Sequence, residues 1–417
     1  MAFDPEMLHG TPNALAVRLH SRRVGTIHRL GGDRHLFSFE QDYLNDSNRD
    51  TLSLSFKGQF GGMAIPTHAV VARLPVFFSN LLPEGHLREY LATRAGVKPQ
   101  REFFLLAILG ADLPGALTVE PDPPAAIIRR RENESGSAEN TREPVLRFSL
   151  AGIQLKFSAI MEASGGLTIP ADGMGGSWIV KLPSGRFPAV PENEYTMMTL
   201  ARAAGLQTPR TELIDIREIR GLPSDAGAME CRALAVQRFD RDPEGTPVHM
   251  EDFAQVFGIY PDDKYRKRSY ANIAAVLAAE TGESVVHEFM RRLAFSVLIG
   301  NADMHLKNWT LLYPDRRSPV LSPAYDLLST LPYIPGDKLA LTFGDSRSMD
   351  EITPDQVRRF ADTARLPSSV LWKTVVETAD RTVSAWEKLI EKDLLPSKIR
   401  TVIDRHIFTV AGAIRNF

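Results

Sequence analysis

Apolar and polar positions alternate in short runs along the first third of the chain. Ala14 to Leu19 and Val24 to Ile27 flank a polar Ser21-Arg22-Arg23 turn, followed by Leu36-Phe37-Ser38-Phe39 and Leu52-Ser53-Leu54-Ser55-Phe56. A period of two puts successive side chains on opposite faces, so these segments read as short, half-buried strands. After Pro75 the pattern changes. Leu87, Tyr90 and Leu91 are spaced for a helix over His86 to Arg94 that ends near Gly96, and a second helix is predicted over Glu102 to Leu109. Strand-like pieces return at Arg147 to Leu150, Ser177 to Leu182 and Ala233 to Arg238, with a helix over Glu192 to Ala204. From Tyr270 onward helical spacing prevails: Val286, Phe289, Met290, Leu293 and Val297 share one helix face. A mixed α/β half therefore precedes a mainly helical half, which predicts an α+β chain. No internal repeat is visible.

Residues 129 to 143 carry charge of both signs and almost nothing apolar, the pattern of a linker. The chain divides into an N-terminal subdomain over 1–120, a polar linker over 121–144, a third segment over 145–242 and a helical lobe over 243–417. With 417 residues there is room for two lobes with cores of their own. The 49 Lys+Arg against 51 Asp+Glu leave a formal charge of −2, without the global field of a dedicated nucleic-acid binder. The single cysteine, Cys231, excludes an intramolecular disulfide and a cysteine-based zinc site. Met1 to Gly10 carries acids and no apolar segment, and no window reaches the roughly 18 apolar residues of a membrane span. The expectation is a cytoplasmic protein without membrane contact.

Candidate chemistry is densest at Gly300-Asn301-Ala302-Asp303-Met304-His305-Leu306-Lys307-Asn308-Trp309, where an Asp stands five positions before an Asn. That is the D-x-x-x-x-N spacing of a kinase catalytic loop. Trp309 to Tyr313 reads as a strand, Pro314 to Pro319 as a turn, and Val320-Leu321 as the returning strand, which brings Tyr325-Asp326 back beside Asn308. Phosphoryl transfer needs an acid to orient and deprotonate the attacking hydroxyl, and oxygen ligands for Mg²⁺. Asp303 fits the first role, Asn308 and Asp326 the second, and Lys307 is placed to neutralise charge on the transferred group. Upstream, Lys181 in Trp178-Ile179-Val180-Lys181 resembles the strand lysine that meets nucleotide phosphates. Glu194 on the following helix is its expected ion-pair partner. Ser149 to Lys156, with Gly152 allowing close backbone approach, reads as a phosphate-facing loop, and Gln237-Arg238-Phe239 as an adenine hinge.

Taken singly, each of these has a plainer reading. A D-x-x-x-x-N spacing arises by chance, Lys181 reads as an edge-strand lysine, and Ser149 as a turn cap. His305 beside Asp303 is either a metal ligand or a polar loop histidine contacting backbone or phosphate. The run Lys264-Tyr265-Arg266-Lys267-Arg268 reads as a solvated loop rather than a surface for DNA or an acidic protein, and Phe77-Phe78 and Leu81-Leu82 as core. Order along the chain favours the kinase reading.

Together the motifs resemble the HipA family of bacterial serine/threonine kinase toxins over nearly the whole chain. The segments carrying the likeness are Phe78-Ser79-Asn80-Leu81-Leu82-Pro83-Glu84-Gly85, Phe148 to Lys156, Val180-Lys181-Leu182-Pro183, Glu192-Asn193-Glu194-Tyr195, Arg238-Phe239-Asp240-Arg241, Glu251 to Gln255, Gly300 to Asn308 and Tyr325-Asp326-Leu327. The resemblance implies a two-lobed protein-kinase-like fold with ATP and Mg²⁺ as cofactors. It implies Asp303 as catalytic base, Asn308 and Asp326 as metal ligands, and Lys181 on the nucleotide phosphates. Ala151, Gly152, Ile153, Gln154, Leu155 and Lys156 would cover those phosphates; Gln237, Arg238, Phe239, His305 and Tyr325 complete the expected nucleotide site.

The same likeness implies a toxin that phosphorylates a protein such as an aminoacyl-tRNA synthetase, arrests growth, and is held by a helix-turn-helix antitoxin on operator DNA. Ser149 corresponds to the serine that family members autophosphorylate. Phosphate there adds about −1.5 to −2 charge beside a phosphate-binding loop, which should expel the loop and weaken ATP binding. Gln237 departs from the acidic residue common before Arg-Phe-Asp, and Leu155 from a polar residue or proline. Two alternatives stay open from the residues: a catalytically weak corepressor acting with the antitoxin on DNA, and a small-molecule or lipid kinase.

Overall fold

The computed structural model describes residues 12–58, 62–122, 156–161, 167–169, 176–222 and 231–417. The N-terminal subdomain is built on five strands, β1 (Ala14–Leu19), β2 (Arg22–Leu30), β3 (Arg34–Phe39), β4 (Val70–Val71) and β5 (Leu117–Pro121), in the order β4-β3-β2-β1-β5. β1 and β2 are joined by His20-Ser21, both at positive φ, the two-residue loop that matches the twist of a hairpin. Arg22 and Arg23 therefore lie inside β2 rather than in the turn. Helices α1 (Gly85–Ala95), closed by left-handed Gly96, and α2 (Glu102–Leu109) follow the spacing expected of them. Phe77, Phe78, Leu81 and Leu82 lie in this subdomain's core with Phe37 and Leu106.

The run from Leu52 to Phe56 is not a strand, although it alternates. Ser53 caps a single 3₁₀ turn over Leu54–Phe56, and the Glu251 carboxylate takes the Leu54 N–H (2.9 Å) and the Ser53 hydroxyl (2.5 Å). An acid from the far lobe thus replaces the ladder that alternation alone would call for.

The second sheet contains β6 (Lys156–Met161), β7 (Leu167–Thr168), β8 (Trp178–Lys181), β9 (Thr211–Asp215), β10 (Ile219–Arg220) and β11 (Arg232–Gln237), ordered β10-β7-β6-β8-β11-β9. Lys181 ends an interior strand, not an edge. Helix α3 (Val190–Ala203) packs on β9 and β11. The large lobe follows with β12 (His249–Asp252), β13 (Thr310–Tyr313) and β14 (Val320–Leu321), and helices α4 (Tyr270–Thr281), α5 (Glu283–Leu298), α6 (Pro354–Ala364), α7 (Ser368–Lys388) and α8 (Ser397–Arg415). Val286, Phe289, Met290, Leu293 and Val297 of α5 are all buried, as their spacing requires. This is a two-lobed, kinase-like α+β fold carrying an additional N-terminal subdomain. Among the described residues no helix is long and apolar enough to cross a membrane.

The N-terminal subdomain meets the rest of the chain through Leu54, which packs against the large lobe's core, and through polar groups. Gly115 is at φ +78°, and a Cβ there would lie 2.7 Å from the Met250 backbone nitrogen, so only glycine permits this approach. Its N–H donates to Asp240 (2.8 Å), which also pairs with Arg238 and Arg241.

Candidate active site

Lys181 is buried and its ammonium lies between two carboxylates, Glu194 from α3 and Asp326 from the segment after β14. Burial alone would depress the lysine's pKa; the two carboxylates outweigh it and hold the group well above the ordinary lysine range. The expected Lys181–Glu194 pair is thus present, and Asp326 closes it into a triad. Asp326 adopts φ +52°, a left-handed conformation that costs a non-glycine residue roughly 1–2 kcal/mol. Its neighbours fix it there. Tyr325 is tied to Thr310 (2.6 Å) and to the Lys307 carbonyl (2.8 Å), Leu327 is buried, and Asn193 of α3 donates to the Ser329 carbonyl (3.0 Å).

The loop carrying Asp303 begins where α5 ends. Gly300 is at φ +68°, and a Cβ there would meet Leu331 Cδ1 at 2.5 Å. Buried Asn301 accepts the Asp303 N–H (3.0 Å), and Thr330 accepts the Ala302 N–H (3.0 Å). Asn308 Nδ2 donates to the Asp303 carbonyl (2.7 Å), which closes the loop across its five-residue spacing. The amide nitrogen is thereby occupied and the amide oxygen remains as a hard donor of the kind Mg²⁺ takes. Asn308 and Tyr325 line one small cavity, so Asp326, the next residue, stands close to the loop's end. An Asn oxygen and an Asp carboxylate are a fitting partial set for Mg²⁺, whose remaining ligands are normally water and phosphate. Among the described residues no three His, Cys, Asp or Glu cluster to hold a metal ion without such help.

His305 accepts the Lys307 N–H at Nδ1 (3.2 Å), and its Nε2 is 3.9 Å from Asp303 Oδ1. Burial first, then Lys264, lowers its pKa to about 3, so the imidazole is neutral. It acts here as a backbone cap. Lys307 donates to the Asn80 carbonyl (2.8 Å) and pairs with Glu84 (2.9 Å), both from the N-terminal subdomain. The carboxylate of Glu84 also receives Lys264 (2.8 Å), and the two lysines together outweigh burial to bring its pKa down to about 2. Lys264 is therefore a half-buried structural cation, not part of a solvated run. Its carbonyl accepts the Leu306 N–H (3.2 Å), and the next residue, Tyr265, donates its phenol to Asp303 Oδ1 at 2.5 Å.

At the expected hinge, Phe239 packs against Tyr325 with ring centroids 5.2 Å apart. Arg238 turns away from the cleft, its guanidinium held by Asp240 (2.8 Å) and Asp112 (3.2 Å), so that side chain serves the subdomain junction. The Gln237 side chain is exposed while its N–H donates to the Arg210 carbonyl (2.9 Å). Lys156 opens β6; Ser149, Ala151, Gly152, Ile153, Gln154 and Leu155, the strand expected at 147–150 and the linker at 129–143 lie outside the described residues. Tyr265 was hidden by the basic run around it. Glu84 carries no signal of its partners, because they lie 180 and 223 residues away.

Comparison with known proteins identifies the family. Residues 15–120 match the family described as the HipA N-terminal domain and residues 148–386 the HipA-like C-terminal domain. A Sinorhizobium fredii protein named "Putative kinase Y4dM" is 51% identical over 409 residues, covering 95% of this chain and 97% of that one. The "Serine/threonine-protein kinase toxin HipA" of Shewanella oneidensis is 24% identical over 388 residues, covering 83% and 86%. The solved complex of Shewanella oneidensis HipA with HipB and operator DNA superposes with a TM-score of 0.72 at 21% identity, over 97% of each chain. The two matched domains, which together span most of the chain, and the 51% identical relative make this chain a member of the HipA family of kinases.

Proposed function

We propose that this chain transfers the γ-phosphoryl group of Mg·ATP to a serine or threonine hydroxyl of a protein. The observation that carries the reading is the convergence of Lys181, Glu194 and Asp326 in one buried ion triad beside the Asp303–Asn308 loop. Lys181, held charged by its two acids, would meet the nucleotide phosphates; Asn308 and Asp326 would hold the metal, which neutralises developing charge. Asp303 orients the attacking hydroxyl and takes its proton. The side chain of Phe239, against Tyr325, offers an apolar face for a base. Lys307, engaged by Glu84 and Asn80, supports the loop from the N-terminal subdomain.

By likeness to the family, the acceptor is a component of translation such as an aminoacyl-tRNA synthetase, modification of which arrests growth, and Ser149 is an inactivating autophosphorylation site. The Shewanella complex supports a helix-turn-helix antitoxin as partner, with operator DNA contacted mainly through it. A cell lysate incubated with the protein and heavy-isotope ATP, read by mass spectrometry, tests the reading. A protein serine or threonine labelled by wild type and not by Asp303→Asn is the expected result. Label only on small molecules or lipids, or on nothing, would overturn it.

A further inference from the structure

The Tyr265 phenol donates to Asp303 Oδ1 at 2.5 Å, one of the two oxygens of the carboxylate to which the proposed function assigns proton abstraction. Neither group is a core residue needing a mate: Tyr265 is 39% exposed and the Asp303 side chain 51%. A bond of this kind at a wet surface adds little to folding. Its backbone, by contrast, is fixed, since the Lys264 carbonyl accepts the Leu306 N–H and the Lys264 ammonium pairs with Glu84. The ring edge rests on the neutral His305, centroids 5.0 Å apart. Side-chain rotation alone can therefore carry the phenol on and off the carboxylate.

A general base must lie within about 2.6–3.2 Å of the oxygen it deprotonates. The phenol oxygen already occupies such a position, and a second hydroxyl oxygen cannot share it. We propose, resting on the kinase reading above, that Tyr265 and Asp303 frame the acceptor-hydroxyl subsite and that the Tyr265 phenol fills the acceptor's place until a serine or threonine hydroxyl displaces it. Tyr265 is then a gate on acceptor binding, distinct from the groups that hold nucleotide. It also disfavours water as acceptor, because water must break the same hydrogen bond without contributing any other contact.

The test uses the full chain with Mg·ATP, dephosphorylated casein as a source of serine and threonine hydroxyls, and a parallel assay of ATP hydrolysis without casein. Displacing a hydrogen bond worth about 1 kcal/mol corresponds to roughly fivefold in affinity. Tyr265→Phe should lower the casein KM by about that factor, more than it alters kcat, and raise ATP hydrolysis in the absence of casein by a similar factor. Tyr265→Leu, which also removes the ring, should move both quantities in the same direction. Unchanged casein KM and unchanged hydrolysis, with transfer intact, would overturn the gate and leave the kinase reading standing. So would a fall of transfer in Tyr265→Phe toward the level of Asp303→Asn, since the phenol would then be a support of the base. If wild type and both variants hydrolyse ATP and label casein no faster than Asp303→Asn, the kinase reading fails and the gate fails with it.

Discussion

Two aspartates of the cleft differ in burial and in the contacts that hold them. Asp326 meets an ammonium, Lys181, in a buried triad; Asp303 meets a phenol and, at 3.9 Å, a neutral imidazole, with half its side chain in water. A carboxylate bonded to a buried ammonium is suited to staying ionised and binding metal, whereas one that stands half in water and accepts from a phenol is open to an incoming hydroxyl. The junction with the N-terminal subdomain repeats the contrast with two glutamates. Glu84 faces two lysines and is pulled down to about 2; Glu251, fully buried, faces hydroxyls and one N–H and is pushed up to about 7. Burial raises both, so the identity of the neighbours decides the outcome.

The largest effect should come from exchanging the roles of the two aspartates. Asp303→Asn removes the proposed proton acceptor and should lower kcat by about 10²–10⁴ with the KM for ATP nearly unchanged. Asp326→Asn removes a partner of Lys181 and the proposed metal ligand, and should raise the KM for ATP as well. Steady-state kinetics with both variants would break the contrast if the two behaved alike.

Next in size is the triad itself. Lys181→Met removes the ammonium that Glu194 and Asp326 share. Removing one partner of a buried ionic group typically costs about 3–5 kcal/mol. Urea denaturation should show a loss on that scale, and Glu194→Gln, which keeps the lysine and Asp326, a smaller one.

Much of this was legible before the fold was known, and most of what was not has a common physical cause. Strands β1, β8, β11 and β13 and helices α2 and α5 follow from local periodicity, and the Lys181–Glu194 contact was expected from the likeness of their segments to kinase motifs. The run at 52–56 alternates like a strand but is a capped turn, because its partner is Glu251, some 197 residues away. Arg238, inside a hinge motif, turns to Asp112 for the same reason, and Lys264 leaves its basic run for Glu84. Contacts made by one side chain across a domain junction leave no period in the sequence. These three join the N-terminal subdomain to the rest of the chain, whereas Arg22 and Arg23 were displaced from the turn by a hairpin loop of only two residues.

Glu251 provides a pH test of the contrast. Its folded pKa, about 7, lies above the ordinary 4.5, because burial outweighs its hydrogen bonds to Ser53, Tyr313 and Leu54. The folded state therefore binds more protons than the unfolded one between those values. By linkage the group costs no stability below about pH 4.5 and its full penalty above about pH 7, a few kcal/mol. Asp252, raised to about 6, acts in the same direction, while the neutral His249 and His305, lowered to about 4 and 3, act in the opposite one. All three remain in Glu251→Gln, so the difference between variant and wild type isolates the glutamate. That difference, from chemical denaturation at several pH values, should favour the variant increasingly from pH 4.5 to 7; a flat difference would place Glu251 with the ordinary carboxylates.

The smallest effect belongs to Glu84, and its sign is reversed. Its folded pKa of about 2 lies below the ordinary 4.5, because Lys307 and Lys264 outweigh burial. The stability it contributes is fully present above about pH 4.5 and is lost as the pH falls through 2. Glu84→Gln keeps an oxygen to accept from both lysines and removes only the charge, so the expected cost at neutral pH is about 1–2 kcal/mol, shrinking toward zero in acid. The same substitution loosens Lys307 and, through Lys264, the segment carrying Tyr265, and both adjoin the Asp303 loop. Hydrogen exchange should therefore quicken at Leu306, whose N–H is held by the Lys264 carbonyl, before it quickens in α5. If Leu306 kept its protection in Glu84→Gln, the N-terminal subdomain would be a passive neighbour of the catalytic loop rather than one of its supports.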